Sequence, residues 1–194
     1  MPSLRQQLRR KRRSLSQQEQ VLASAALTRR LVADLSIITA KTIALYLPDD
    51  GEIDPTPFMF WCYSVGKQIY LPLLPEGVMP NTSSLFFQAY IPGITKLRMN
   101  RFGMPEPTFN KRHCIRASML NLVLLPLVGF DRNRNRIGRG KGYYDKTFSA
   151  GANSFHTPKL VGVAHSVQET RIQPNPWDVQ LDAVFTEKEK ISIL

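Results

Sequence analysis

One stretch, residues 122–145, constrains this chain more than any other. It opens with Leu122-Val-Leu-Leu-Pro126-Leu-Val-Gly129-Phe-Asp131, a short continuous apolar run of the kind that forms a strand buried on both faces. Arg132-Asn-Arg-Asn-Arg136-Ile137 follows. Gly138-Arg139-Gly140-Lys141-Gly142 then places a glycine at every second position with a cation between each pair. Glycine lets backbone N–H groups approach a ligand with no side chain in the way. Arg136, Arg139 and Lys141 put positive charge on the same loop. Tyr143-Tyr144-Asp145 can start a helix through Phe148, and a helix N-terminus favours an anion. Strand, glycine-rich cationic loop and helix together read as a polyphosphate cradle. Asp145, in the first helical turn, could hold Mg²⁺ against those phosphates.

The spacing is neither that of the P-loop nor that of the dinucleotide fingerprint. By physics alone the same residues could be a flexible basic loop. The whole segment Arg136-Ile-Gly-Arg-Gly-Lys-Gly-Tyr-Tyr-Asp145, preceded by Pro126 and Gly129-Phe-Asp131, resembles the signature of the 5-formyltetrahydrofolate cyclo-ligase (5,10-methenyltetrahydrofolate synthetase) family. The resemblance implies a Rossmann-like three-layer α/β sandwich with a largely parallel sheet, and it covers almost the whole chain as one domain, residues 1–194. Short strands alternating with helices argue for the same class.

A formal charge of +11 over 194 residues asks for an anionic partner without naming it. Two cysteines, Cys62 and Cys114, are too few for a disulfide framework, and buried, reduced thiols are expected. No run approaches the roughly 18 apolar residues of a membrane span. The basic start is not followed by an apolar h-region, so a cytoplasmic protein is expected.

Leu4, Leu8 and Leu15 can share a helical face surrounded by cations. By itself that segment reads as a solvated helix or a nucleic-acid arm. The family often opens with Lys-x-x-Leu-Arg, whose cations reach the nucleotide. Leu4-Arg5 match its last two positions, and Met1 replaces the lysine. Arg5, helped by Arg9, is then the arm onto ATP. Ser16-Gln-Gln-Glu19 is a capping box. Behind it Val21, Leu22, Ala25, Thr28, Leu31, Val32 and Leu35 recur at helical spacing as a packing stripe.

Thr42–Leu47 is strand-like. Asp54 then caps a helix from Pro55 to Val65 that buries Phe58, Trp61 and Cys62. Ligands of doubly wound sheets meet the carboxyl ends of strands, and Leu47 and Glu52 flank such an end. By resemblance Leu47 packs against the folate ring system and Glu52 takes its pterin side; without the family, Glu52 is a loop acid. Gly66–Pro72 and Leu85–Tyr90 are further strands, with loop between Leu73 and Ser84. Phe102-Gly-Met-Pro-Glu-Pro107 resembles a family segment, and its two prolines predict a rigid connection outside helix or sheet. The family usually has a glycine where this chain has Arg132-Asn-Arg-Asn-Arg136; Asn133 and Asn135 are the residues expected to take the left-handed turn. Lys159–Ala164 is another buried strand, followed by His165. His113 and His156 lie in polar loops. Asp182, before a short closing strand, matches a family aspartate that helps hold Mg²⁺; its bland reading is a turn cap.

The family's reaction is ATP + 5-formyltetrahydrofolate → 5,10-methenyltetrahydrofolate + ADP + phosphate. A formamide oxygen leaves poorly; phosphorylating it lets N10 of the folate close the ring. The resemblance implies ATP contacts at Leu4, Arg5 and Arg136 to Tyr144 (Ile137, Gly138, Arg139, Gly140, Lys141, Gly142 and Tyr143 among them). It implies folate contacts at Leu47, Glu52 and Arg139 to Tyr143, catalytic roles for Arg139, Lys141 and Tyr143, and Mg²⁺ on Asp145 and Asp182. The expected partners are small molecules, ATP as co-substrate and the folate with or without a polyglutamate tail, acting on a monomer with no membrane. The alternative is an RNA-binding α/β module, since cations interleaved with aromatics suit single strands. Asp145 and Asp182 argue against it.

Overall fold

The computed structural model describes residues 2–79, 82–149 and 157–193. Met1 and His156, named above, fall outside them. In chain order the elements are α1 (Leu4–Arg13), α2 (Gln17–Val32), α3 (Leu35–Thr39), β1 (Thr42–Ala44), α4 (Thr56–Ser64), β2 (Gln68–Leu73), β3 (Phe86–Ala89), β4 (Leu97–Met99), β5 (Pro105–Pro107), β6 (Cys114–Ile115), β7 (Leu122–Pro126), β8 (Gly129–Phe130), β9 (Arg136–Ile137), α5 (Tyr143–Ser149), β10 (Lys159–Val163), β11 (Ala183–Phe185) and β12 (Lys190–Ser192).

The main sheet has eight strands in the order β12-β11-β10-β7-β1-β2-β3-β6. The five middle strands, β11 to β2, run parallel, and β12, β3 and β6 add antiparallel edges. Side chains alternate across β7 because a strand has a period of two. Leu122 and Leu124 join one core with α2, α3 and α4; Val123 and Leu125 join the other with Phe148 of α5. The apolar run at 122–125 is buried on both faces, as its composition predicts.

This topology creates one special place. From β1 the chain crosses by α4 to β2 on one side; from β7 it crosses by α5 to β10 on the other. The two helices cover opposite faces. The strand order therefore reverses between β1 and β7, and the crevice outside their carboxyl ends is where a doubly wound sheet takes a ligand.

Four local expectations are corrected. The α2 stripe is partly rotated: Leu31 is buried and Val32 packs on the core as expected, but Val21, Leu22 and Leu35 are exposed, and Ala23 and Leu27 face the core in their place. Leu35 lies beyond the helix, which stops at Val32; Asp34 caps the next one. Docking against α4, where Ser24 Oγ donates to Asp54 O at 2.6 Å, selects the face with small residues. Leu15 lies beyond the end of α1 and shares no helical face with Leu8. Pro105-Glu-Pro107 does form a strand, pairing with β4 in a two-stranded ribbon. Prolines are tolerated in such an edge because their missing N–H need not face a partner. In the β8–β9 hairpin the left-handed residue is Arg134, at φ 65°, not Asn133 or Asn135. Asn135 is committed instead to Asp131, donating from its backbone N at 2.9 Å and from Nδ2 at 2.8 Å.

Candidate active site

The site grows from the β1–β7 crevice. Asp50, with left-handed φ of 56°, and Glu52 follow β1. The basic helix α1 lies across the carboxyl ends of β1 and β7. A Ser3–Gln6 capping box starts it; the Ser-x-x-Gln pattern in the sequence would have found that box. Its Leu8 packs closely on Gly129: a Cβ there would meet Leu8 Cδ1 at 2.7 Å, so any side chain at 129 would make Leu8 shift. Arg12 is fully buried. It donates from Nε to Asp50 O (2.8 Å), from Nη1 to Leu127 O (3.2 Å) and from Nη2 to Asp50 Oδ2 (2.8 Å). Glu52 Oε1 lies 3.7 Å from it. Arg9 and Arg13 also pair with Asp50. Arg9 is thus spent on Asp50 rather than turned to the cradle.

Arg5, one turn earlier, does reach the cradle: its Nε donates to Gly138 O at 3.1 Å. Gly140 and Gly142 have positive φ, 97° and 68°, which L side chains rarely adopt. A Cβ built on Gly138 would meet nothing within 4 Å, and one on Gly140 only Arg5 Nε at 4.0 Å. Among the described residues, no backbone hydrogen bond is donated by the N–H groups of residues 138–142, so they are available to phosphate oxygens.

The side chains between the glycines go elsewhere. Arg139 donates from Nη1 to Asp49 Oδ2 and from Nη2 to Glu52 Oε1, each at 2.8 Å, and sits 3.1 Å from Met104 Sδ. The loop after β7 is therefore tied across the crevice to the loop after β1. Burial pushes the Glu52 carboxyl above its usual range, against the pull of Arg139 and Arg12. Burial lowers the Arg139 value, but Glu52 and Asp49 outweigh it and raise it overall. Lys141 is exposed, its Nζ 5.6 Å from the Phe102 ring centre. Tyr143 Oη accepts from Arg101 Nη2 at 2.6 Å and donates to Glu76 Oε1 at 3.1 Å. Tyr144 is half-buried and stacked on Phe148; burial, then Glu52, pushes its hydroxyl well up.

Of the other expected contacts, Ile137 pairs with Gly129 in the hairpin, Leu47 packs on the α4-side core, and Leu4 is exposed at the start of α1. Arg136 pairs with Asp145 Oδ1 and with Val179 O. Asp145 Oδ1 also accepts from Val179 N at 3.3 Å.

Asp182 sits at the amino ends of β10 and β11, where Oδ2 accepts from Leu160 N at 2.7 Å. It lines, with Val179, a cavity of about 500 Å³ that contains none of residues 136–143. Among the described residues, Asp145 Oδ2 and Asp182 Oδ1 carry no hydrogen bond, and no group of three metal-ligating side chains occurs. A single carboxylate at Asp145, in the first turn after the glycine loop, suits Mg²⁺, which is bound through one or two carboxylates plus substrate phosphates. Asp182, at the amino ends of β10 and β11, is not brought to the cradle.

His165 is buried just beyond β10 with Nε2 unpaired among the described residues, and burial lowers its affinity for a proton. It caps a short 3₁₀ turn whose Gln168 donates to Leu127 O (2.7 Å) and Val128 O (3.0 Å), holding the exit of β7. His113 closes another 3₁₀ turn and lies away from the cradle. Sequence reasoning missed Arg12 and Arg101. The position of Arg12 four residues after Leu8 was a signal for the first; nothing local marks the second.

A family model described as the 5-formyltetrahydrofolate cyclo-ligase family matches residues 1–187. A 5-formyltetrahydrofolate cyclo-ligase of Escherichia coli is 34% identical over 181 residues, covering 92% of this chain and 96% of the relative. One from Haemophilus influenzae is 33% identical over 180 residues, 92% of each. The fold matches a 5,10-methenyltetrahydrofolate synthetase of Aquifex aeolicus with a TM-score of 0.79 at 28% identity, over 97% of this chain and 90% of that one. It also matches a Mycoplasma pneumoniae synthetase with a TM-score of 0.71 at 27% identity, over 95% and 96%. The RNA-binding reading gains no support from these matches. Three cations of its basic arm, Arg9, Arg12 and Arg13, are turned onto Asp50, and Tyr144 is stacked internally.

Proposed function

From the premise that this chain belongs to the 5-formyltetrahydrofolate cyclo-ligase family, we propose that it converts 5-formyltetrahydrofolate to 5,10-methenyltetrahydrofolate in the β1–β7 crevice, with ATP as phosphoryl donor. The observation that carries the reading is the Arg139–Glu52 tie, 2.8 Å long, which joins the glycine loop to the β1 loop at the point where strand order reverses. In this reading residues 1–194 work as one domain and as a monomer, with or without a polyglutamate tail on the folate.

The open backbone N–H groups of residues 138–142 take the phosphates. Arg5 braces the loop from outside, and Lys141 is free to swing to the transferring group. A loose phosphoryl-transfer transition state needs mainly positioning and charge neutralisation. Transfer of the γ-phosphoryl to the formyl oxygen makes an iminium phosphate on N5. N10 then attacks the formyl carbon, loses its proton, and phosphate departs as the ring closes. Glu52, held in a buried cationic setting, faces the pterin side, and Leu47 offers an apolar contact. Asp145 would hold Mg²⁺, which neutralises phosphate charge when bound; Asp182 joins it only by the family resemblance, since it lies at the amino ends of β10 and β11. No protein nucleophile is required.

The test is turnover followed by the near-ultraviolet absorbance of the methenyl product. Product should form only with ATP and Mg²⁺ together and stop when the metal is chelated. Undiminished product without ATP would overturn the mechanism.

A further inference from the structure

The alternation in the cradle has a second side. Glycines 138, 140 and 142 leave one edge of the loop as bare backbone, and residues 139, 141 and 143 project their side chains from the other. All three of those side chains touch one tight turn, residues 100–104. Arg101 donates to Tyr143 Oη at 2.6 Å. The Phe102 ring lies under Lys141 at 5.6 Å. Met104 Sδ meets Arg139 at 3.1 Å.

This turn is built to be stiff. Asn100 Oδ1 accepts from Phe102 N (2.9 Å) and Met104 N (3.1 Å), and Asn100 N bonds Met104 O at 2.9 Å. Its flanks are the β4–β5 ribbon. The ribbon is anchored by buried Glu106, which takes Arg98 at 3.1 Å and Leu74 N at 3.4 Å at the end of β2. The turn thus transmits the position of the main sheet to the cradle. Arg101 also pairs with Glu76 at 2.5 Å, and Glu76 in turn accepts from Tyr143, so three loops meet at one hydroxyl.

We infer that the turn 100–104 is a strut for the cradle, and that Arg101 is a positioning residue acting through Tyr143. A loop with three glycines in five residues has many conformations to lose on binding; resting its side-chain edge on a fixed turn removes part of that entropy before the ligand arrives. The inference rests on the functional reading above for its kinetic consequence, and not for its structural one.

Two measurements decide it. The first is a double-mutant cycle on steady-state turnover with Arg101→Met and Tyr143→Phe. Arg101→Met should lower kcat/KM by about tenfold, or ~1.4 kcal/mol. It should add little in the Tyr143→Phe background, and Arg101→Lys, which keeps one donor, should recover most of the loss. The second is amide hydrogen exchange of the 136–144 peptide in the protein without ligand, which should quicken several-fold in Arg101→Met while the β7 and β10 peptides stay unchanged. An active parent with Arg101→Met within twofold, or fully additive effects, overturns the inference. A parent that makes no methenyl product overturns the functional reading instead; the exchange result alone then decides the strut, and unchanged exchange rejects it.

Discussion

The amino-terminal helix and the glycine cradle are both dense in cations, yet the fold uses them oppositely. In α1 the cations at 9, 12 and 13 fall three and four residues apart, on one helical face, and converge on a single carboxylate, Asp50. In the cradle the cations are separated by glycines, and each goes its own way: Arg136 to Asp145, Arg139 to Glu52 and Asp49, Lys141 to an aromatic face. The helix converts charge into an anchor. The loop keeps Lys141 without a carboxylate among the described residues, and such a cation can be spent on a ligand. A run of positive charge therefore says little until its spacing is converted into geometry.

The comparison breaks most sharply at Asp50. Asp50→Ala should cost about 3 kcal/mol of unfolding free energy, because it removes the hydrogen-bonded carboxylate of the fully buried Arg12 and leaves it only Glu52, at 3.7 Å. Urea unfolding measures this, and a loss below about 1 kcal/mol would return α1 to the solvated helix that its composition suggests. The same anchor has a pH signature. Burial alone would raise the Asp50 carboxyl, but hydrogen bonds from Arg9, Arg13 and Arg12 outweigh it and hold it below its ordinary value. A depressed folded value means stability that is fully present above the unfolded carboxylate range, about pH 4, and lost as pH falls through the folded value. The parent should lose stability on acidification below about pH 4, and Asp50→Ala should lose less over the same interval.

Lys141→Met sharpens the other half. It removes the one cradle cation with no acidic partner among the described residues and keeps most of the stem. Folding should be unchanged by circular dichroism. The turnover number should fall by roughly tenfold, or ~1.4 kcal/mol, with a smaller change in ATP affinity, since a charge near the transferring group counts most in the transition state. Equal losses in kcat and affinity would make Lys141 a ground-state contact only.

The smallest expected effect separates two glycines of the same loop. Gly140→Ala places a Cβ at φ 97° with nothing closer than 4.0 Å, so its penalty is conformational rather than steric. It should cost about 1 kcal/mol, lowering Tm by roughly 2–4 °C. Gly138→Ala, with no positive φ and nothing within 4 Å, should leave Tm nearly unchanged. Equal shifts would show that the loop relaxes freely and is not held in shape.

Much of the fold was legible locally. Leu122–Leu125 read as a two-faced strand because four consecutive apolar residues must be covered on both sides, and Ser16–Glu19 read as a helix start because its reciprocal hydrogen bonds close within four residues. The buried face of α2 is not legible locally because that helix has small and apolar residues on more than one side, and docking against the α4 segment chooses between them. The proline strand is not legible locally because proline is excluded from sheets only at paired N–H positions, and which N–H groups face a partner is a property of the ribbon.

The sequence by itself determined the chemistry available. It set glycines against cations at 138–142, placed a carboxylate in the first turn of α5, and ordered strands and helices so that β1 and β7 each lead into a crossover. These are short-range facts, carried by backbone freedom, side-chain period and charge. Only the tertiary structure decided which charges are spent and which are free. Asp50 and Arg12 are 38 positions apart, Glu52 and Arg139 are 87, and Arg101 and Tyr143 are 42. No local propensity relates residues so distant. Their pairing follows from where the sheet brings strand ends together, and in a buried crevice an unpaired charge is too costly to remain one.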